Sequence, residues 1–412
     1  MKFCSRAAIL AACGAAGLTA AGASAQEAEV IHWWTSGSES EAIGVFVDAF
    51  EERGGTWIDS AVVSGDAAQG LALSRILGGD PPTAMQWNIG VDILNLAQQG
   101  VLNDIDEVAV REGWADVLPP IVVERATYEG QFVAAPVNIH GANWMWYSPA
   151  VFEEAGAEVP RTWDEFFVAA DKIREAGFIP LALGGQPWQE QLLFGAVLAG
   201  VGGNDLYRRV YEERDPGAAS SPEMLAVLET MGRLRAYVDE GSPGRNWNDA
   251  TNLVLTGQAG MQIMGDWAKG EFEAAGMTAG EDFGCAMAPG NGDSYILVVD
   301  VFAFPKTDDP AQIEAQHMLA DVMLDPEVQV RFNEVKGSVP VRQDVSLEGM
   351  DICSQQAMEV LADPAHHLPN PALALSGDLE GALNDVLTQF WNTPDMPAEE
   401  AAAMLADAIS SL

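Results

Sequence analysis

Strand and helix signals alternate along this chain, and that alternation restricts it to folds in which helices cover a partly parallel sheet. Val30–Thr35 (VIHWWT) reads as a strand. Ser38-Glu39-Ser40-Glu41 has the pattern of a capping box opening a helix, whose apolar face is Ile43, Phe46, Val47 and Phe50 and whose stop is Gly54-Gly55. Thr56–Val63 and Pro82–Trp87 read as further strands. A second capping box, Thr162 to Glu165, opens a helix with Phe166, Phe167, Ala170 and Ile173 inside and Gly177 at its end. Ser221-Pro222 starts another, with Leu225, Leu228, Met231, Leu234 and Val238 at helical spacing and Gly241 closing it. The apolar runs Gln131–Tyr147, Ala259–Trp267 and Tyr295–Pro305 suit buried strands, and Pro397–Ser410 reads as a final amphipathic helix. The fold class is therefore α/β. A length of 412 residues leaves room for two or three domains, and no flexible tether separates them.

Charge narrows the partners. The chain carries 61 acidic against 20 basic side chains, a formal charge of −41, and such a field repels nucleic acid and anionic lipid. Its first residues, MKFCSR, form a basic n-region, followed by the apolar run Ala7–Ala20 and the small-x-small site Ala23-Ser24-Ala25. This is the pattern of an export signal over residues 1–25, with the mature chain starting at Gln26 in the periplasm. Leu10-Ala11-Ala12-Cys13 offers a lipoprotein box as the alternative. Removal of the signal leaves Cys285 and Cys353, which in an oxidising compartment read as one disulfide, with two separately buried thiols as the alternative. Two cysteines without nearby histidine do not complete a metal site, and no cofactor is implied.

The familiar catalytic signatures are missing: no GxSxG, HExxH, Walker loop, EF-hand or CxxC occurs. Gly200-Val201-Gly202-Gly203 reads as a turn and His366-His367 as a solvated loop. A pair of carboxylates for glycoside hydrolysis stays open, since the chain has many acids. Tryptophan is what sets the sequence apart, with twelve against six tyrosines. Several lie beside polar residues, as in Trp33-Trp34-Thr35-Ser36, Gln86-Trp87-Asn88, Gln186-Pro187-Trp188-Gln189, Asn246-Trp247-Asn248 and Gly265-Asp266-Trp267. An indole offers a flat apolar face to the C–H side of a pyranose, while neighbouring amides and carboxylates take its hydroxyls. Trp57, Trp114, Trp163 and Trp391 are assigned to the core; Trp144 and Trp146 fit either role.

These segments, in order, resemble the ABC-transporter glucose/mannose-binding proteins, which are extracellular solute-binding proteins of the carbohydrate-uptake class. The resemblance runs through EVIHWWTSGSESE, GDPPTAMQWN, PVNIHGANWMWY, PRTWDEFF, GGQPWQ, GSPGRNW, AGMQIMGDWAKGEF and KGSVP, and so covers the mature chain. It implies a two-lobe periplasmic-binding-protein fold with a hinge and a ligand cleft between the lobes. The lobes are expected at 26–138 plus 298–345 and at 139–297 plus 346–412, each discontinuous, with Cys285 and Cys353 in the same one. It implies a monosaccharide ligand, the transmembrane subunits of an ABC permease as partner, a monomer, and no bond made or broken. Carried over residue by residue, it implies Trp33 and Trp34 as stacking or wall residues and Glu39 as a hydroxyl acceptor. Gln86, His140, Trp247, Trp267, Asp300 and Lys336 fall on the family's other cleft positions, and Asn138 and Trp188 join them. Asn88 stands where the glucose binders carry a basic residue, Leu373 where they carry a cleft histidine, and Gly141 replaces a bulkier basic side chain. An exported glycoside hydrolase is the alternative reading.

Overall fold

A computed structural model describes residues 26–346 and 348–411. The export signal, its cleavage site and Cys13 lie outside the described residues. The first sheet runs edge to edge through Thr56–Ala61, Glu27–His32, Ala84–Asn88, Asp300–Ala303 and Ala134–Pro136. Glu27–His32 is parallel to both its neighbours, and Asp300–Ala303 is antiparallel to both of its own. A second sheet runs through Gly284–Met287, Trp144–Tyr147, Ala259–Met264 and Ile179–Ala182. The result is the two-lobe α/β fold.

A third, short sheet joins His367–Pro369, Tyr295–Val298 and His140–Gly141. Here the expected run Tyr295–Pro305 divides: Tyr295–Val298 belongs to the third sheet and Asp300–Ala303 to the first, with Val299 as the step between them. Gln131–Tyr147 likewise resolves into four short strands, because the chain leaves the first sheet at Pro136 and reaches the second at Trp144. Both crossings run side by side, with Val137 N–H donating to Asp300 O at 2.9 Å. Asp300 and Asn138 therefore sit where the chain passes between sheets, although their neighbours in sequence are apolar.

Local chemistry explains the helix starts. The helix Gly37–Glu52 has its capping box two residues earlier than the pattern suggests, with Ser36 as N-cap and Glu39 at the third helical position. Ser36 is the last extended residue (φ −70°, ψ 172°), so Ser38 is already helical and cannot cap. Thr162 and Glu165 form the second box as expected, opening Trp163–Glu175. Pro222–Leu234 starts at its Ser-Pro but tightens into a 3₁₀ turn over Arg235–Tyr237, short of Gly241. The glycines at 200–203 make no turn: Leu198–Gly202 is a π-helical segment leading directly into Gly203–Tyr211. Nor is His366-His367 a free loop. His366 Nδ1 lies 3.1 Å from Val360 O and His367 Nε2 2.9 Å from Leu361 O, so the pair serves the orphan carbonyls at the end of Ile352–Leu361.

The core beside the first sheet is built on Phe46, Phe302 and Phe332, with Phe46 and Phe332 stacked 4.2 Å apart. Trp57, Trp114, Trp163 and Trp391 are all buried. So are Trp144 and Trp146, stacked on each other at 5.7 Å with Trp146 also 6.0 Å from Phe272 and from Phe283, which settles them as core. Cys285 on Gly284–Met287 and Cys353 on Ile352–Leu361 form a disulfide with Cα atoms 5.9 Å apart. Among the described residues no helix is long and apolar enough to cross a membrane.

Candidate functional site

The polar side chains singled out in the sequence gather where the two chain crossings meet the first sheet. Glu39 stands in the first turn of Gly37–Glu52 because that helix's capping box needs it there: one carboxylate oxygen accepts from Thr35 N–H (3.3 Å) and Ser36 N–H (3.4 Å). Its other oxygen faces Lys336 Nζ at 3.2 Å, across 297 residues of sequence. Lys336 ends the helix Pro326–Lys336, where the C-terminal dipole favours a cation, and its ammonium lies 5.5 Å from the Trp34 ring centroid. Glu39 and Lys336 are both buried, so removing either side chain would leave the other without its ion-pair partner.

Trp34 does not present an open face. Its ring packs on Phe302 and Phe332 and is 2% exposed, so it supports Lys336 from behind rather than stacking on anything. Trp33, just past the strand Glu27–His32, is half-buried, and its backbone N–H donates to Gln86 Oε1 at 3.0 Å. Gln86 is buried, and its Nε2 has no hydrogen-bond partner among the described residues.

A second group lies one strand over. The antiparallel register sets Asp300 opposite Asn88, and Asn88 Nδ2 donates to Asp300 Oδ1 at 3.0 Å. Asn138 holds the other carboxylate oxygen at 2.9 Å, and its own amide oxygen accepts from Asp300 N–H at 2.9 Å. His140 Nε2 faces Asn138 Nδ2 at 3.0 Å and Asp300 Oδ2 at 3.4 Å, while its Nδ1 is bonded to Asp266. Burial opposes charge on both His140 and Asp300, but their mutual attraction prevails. Asp266 above all raises the imidazole above the ordinary histidine value, and His140 and Lys336 hold the Asp300 carboxyl below the usual aspartate range.

His140 meets Trp267 edge to face at 5.2 Å, and Trp267 lies 6.3 Å from Trp188. Trp267 is half-buried and Trp188 exposed. The Gln186 amide ties two of the tryptophan segments together: its oxygen accepts from Trp188 Nε1 (3.0 Å), and its nitrogen donates to Asn246 Oδ1 (2.9 Å), beside Trp247. Trp247 is half-buried, and its backbone carbonyl accepts from Gln262 Nε2, on the strand Ala259–Met264, at 3.1 Å. The half-buried set, Trp33, Asn88, Trp247 and Trp267, is thus the one with surface to offer, and the charged set stands behind it.

Asp266 and Gln186 figure in the sequence only as polar neighbours of Trp267 and Trp188, not as site residues. Asp266 accepts from Gly141 N–H (2.9 Å) and Tyr295 OH (3.3 Å) besides His140, and its only local signal is a place beside Trp267. The two other departures also have structural counterparts. A Cβ at Gly141 would come within 2.6 Å of the Tyr295 ring and 2.7 Å of Trp144 Nε1, so Tyr295 and Trp144 fill the space of a bulkier side chain. Leu373 is buried, and its segment lies on Gly90 (φ +153°), whose Cβ would meet Ala372 O at 2.2 Å. Among the described residues no cluster of three or more His, Cys, Asp or Glu could hold a metal ion.

Comparison with known proteins bears on what such a site serves. The family model for bacterial extracellular solute-binding proteins matches residues 35–330. A probable sugar-binding periplasmic protein of Rhizobium meliloti is 39% identical over 399 residues, covering 94% of each chain. In structure the chain is similar to a chitin oligosaccharide binding protein (TM-score 0.80, 16% identity, 93% of this chain and 98% of that one). It is also similar to a maltose-bound MalE3 of T. maritima (TM-score 0.77, 21% identity, 93% of this chain and 99% of that one).

Proposed function

The chain belongs to the bacterial extracellular solute-binding proteins, which are binding proteins and not enzymes, and from that premise we propose that it is the periplasmic receptor of an ABC sugar importer, binding a glucose- or mannose-like monosaccharide between its lobes. The first lobe comprises 26–138 plus 298–345 and the second 139–297 plus 346–412. The sugar is gripped by the half-buried indoles of Trp33, Trp247 and Trp267, with Trp188 at the rim. Gln86, Asn88, Asn138, His140, Asp300, Glu39 and Lys336 supply the polar groups, and Trp34 backs Lys336. Closure brings the second lobe's groups onto a ligand first held by the other, and the closed form is what a permease reads.

One observation supports the reading: Glu39 and Lys336 pair beside the linked set Asn88, Asn138, His140 and Asp300, drawn from distant stretches of sequence, and the Trp267 ring meets His140 edge to face. That combination suits an uncharged polyol ring with two apolar patches, and suits an ion poorly because the charges there already pair with one another. The Gln86 Nε2 donor, buried without a partner among the described residues, is the kind of group a sugar hydroxyl satisfies. A thermal-shift series with D-glucose, D-mannose, D-galactose, D-xylose, maltose and chitobiose tests it. Ligand at a hundred times its Kd adds about 2.7 kcal/mol to the native state, so glucose or mannose should raise Tm by several degrees. A melting point unmoved by every sugar refutes the proposal; a shift with maltose or chitobiose alone refutes the monosaccharide assignment.

A further inference from the structure

Two carboxylates reach between the layers of the two large sheets in opposite directions, and each lands on the first turn of a helix. Glu271 lies on Ala268–Ala274, the helix that follows the second sheet's strand Ala259–Met264. It accepts from the backbone N–H (3.1 Å) and the hydroxyl (2.5 Å) of Ser38, in the first turn of the helix that follows the first sheet's strand Glu27–His32. Asp92 makes the converse contact. It lies on Val91–Gln98, after the first sheet's Ala84–Asn88, and accepts from Gly377 N–H at 3.2 Å. Gly377 is the first residue of Gly377–Asn392, a helix whose own N-cap Ser376 makes no side-chain capping bond. That helix is tied to the second sheet's layer through Gln191 Nε2 to Glu380 (3.3 Å) and Asn392 Nδ2 to Glu190 (3.2 Å).

Free N–H groups and the positive end of the dipole make a helix N-terminus a good seat for a carboxylate. At the first contact the backbones are brought close by glycine. A Cβ on Gly270 would fall 2.9 Å from Val335 O and 3.1 Å from Ser38 Oγ, and one on Gly337 (φ +81°) 2.8 Å from Asp266 O. Neither carboxylate belongs to the set proposed to hold the sugar.

We infer that Asp92 and Glu271 are affinity-setting positioning residues, reciprocal latches that hold the two lobes closed without touching the ligand. The inference rests on the two-lobe receptor reading. Contacts present only in the closed form slow ligand release and leave capture by the open form unchanged. They act equally on every sugar that the closed form accepts.

Stopped-flow tryptophan fluorescence with D-glucose and D-mannose tests this in D92A, E271A, the double variant, E271Q and G270A, alongside small-angle scattering of the sugar-free proteins. Each alanine variant should release both sugars about three- to tenfold faster, with the on-rate raised only as far as the open fraction grows, the double variant releasing by roughly the product. G270A should behave like E271A although it leaves the carboxylate in place, and E271Q, which keeps an acceptor, should recover most of the loss. The sugar-free double variant should show a larger radius of gyration than the parent at an unchanged melting point. Release rates that stay within twofold overturn the latches, as does a loss confined to one sugar. If the parent binds neither sugar, the ligand reading fails by itself, and scattering still decides: superimposable curves for parent and double variant overturn the proposal.

Discussion

Replacing Lys336 with methionine is the sharpest single perturbation this structure offers, because it separates what the buried ion pair does for the fold from what it does for the ligand. The ammonium is 2% exposed, 3.2 Å from Glu39 and 5.5 Å from the centre of the Trp34 ring. Breaking a buried pair at one end strands a charge and costs about 3–5 kcal/mol. Here the loss should sit near the lower figure, since Glu39 keeps its two backbone donors at Thr35 and Ser36, and methionine refills the space over Trp34. With an unfolding entropy of about 2.1 cal/mol/K per residue and a cooperative unit of roughly 160 residues, ~3 kcal/mol lowers Tm by roughly 9 °C. The companion variant E39Q and the double variant E39Q/K336M close a mutant cycle in calorimetry. The double variant should recover about 2 kcal/mol of the loss, because no isolated charge is left. Sugar affinity should not recover with it, because a charged donor worth about 1.5–3 kcal/mol to a hydroxyl is gone in both. A K336M protein melting within 2 °C or so of the parent, or a coupling energy below about 0.5 kcal/mol, refutes the argument that the pair is mutually dependent.

Two further outcomes are accessible to simple measurements. Reduction of Cys285–Cys353, or C285S/C353S, should destabilise by about 4 kcal/mol in the chain-entropy model for a separation of 68 residues, read as a lower denaturation midpoint; an unchanged midpoint refutes it. Glu380 is pushed up to about 7 by burial, with Asp92 and Asp66 adding to the effect and Gln191 opposing it. Its folded form holds a proton that the unfolded chain releases near 4.5, so it lowers stability progressively as pH rises from about 4.5 to 7. E380Q should therefore gain about 1–3 kcal/mol at pH 8, discounted because the side chain is half-buried, and nothing at pH 4. An equal effect at both pH values would show that the carboxyl titrates normally.

What the sequence alone determined is whatever is decided within a turn of helix or along one strand. Thr162 and Glu165 cap their own helix, Ser221-Pro222 opens another, and the apolar periodicity of Ile43, Phe46 and Phe50 selects the buried face, all from neighbours a few residues apart. The cysteine pair was legible too, because only two remain beyond the export signal, and so was the core placement of Trp57, Trp114, Trp163 and Trp391. Even at this range a two-residue ambiguity survived: Ser36 and Ser38 each have an acid three residues on, and the observed boundary falls at Ser36. Only the tertiary structure decided how the polar residues pair. Asp266 meets His140 across 126 residues, Asn88 meets Asp300 through the register of two antiparallel strands, and Lys336 meets Glu39 because two helices pack side by side. The apolar run from Tyr295 hides its division at Val299, since both halves are buried strands and nothing local marks the change of sheet. Hydrophobic pattern and capping fix the elements because they act along the chain; a charge buried between elements takes its partner from whatever the packing brings opposite it, and that is a property of the assembled layers.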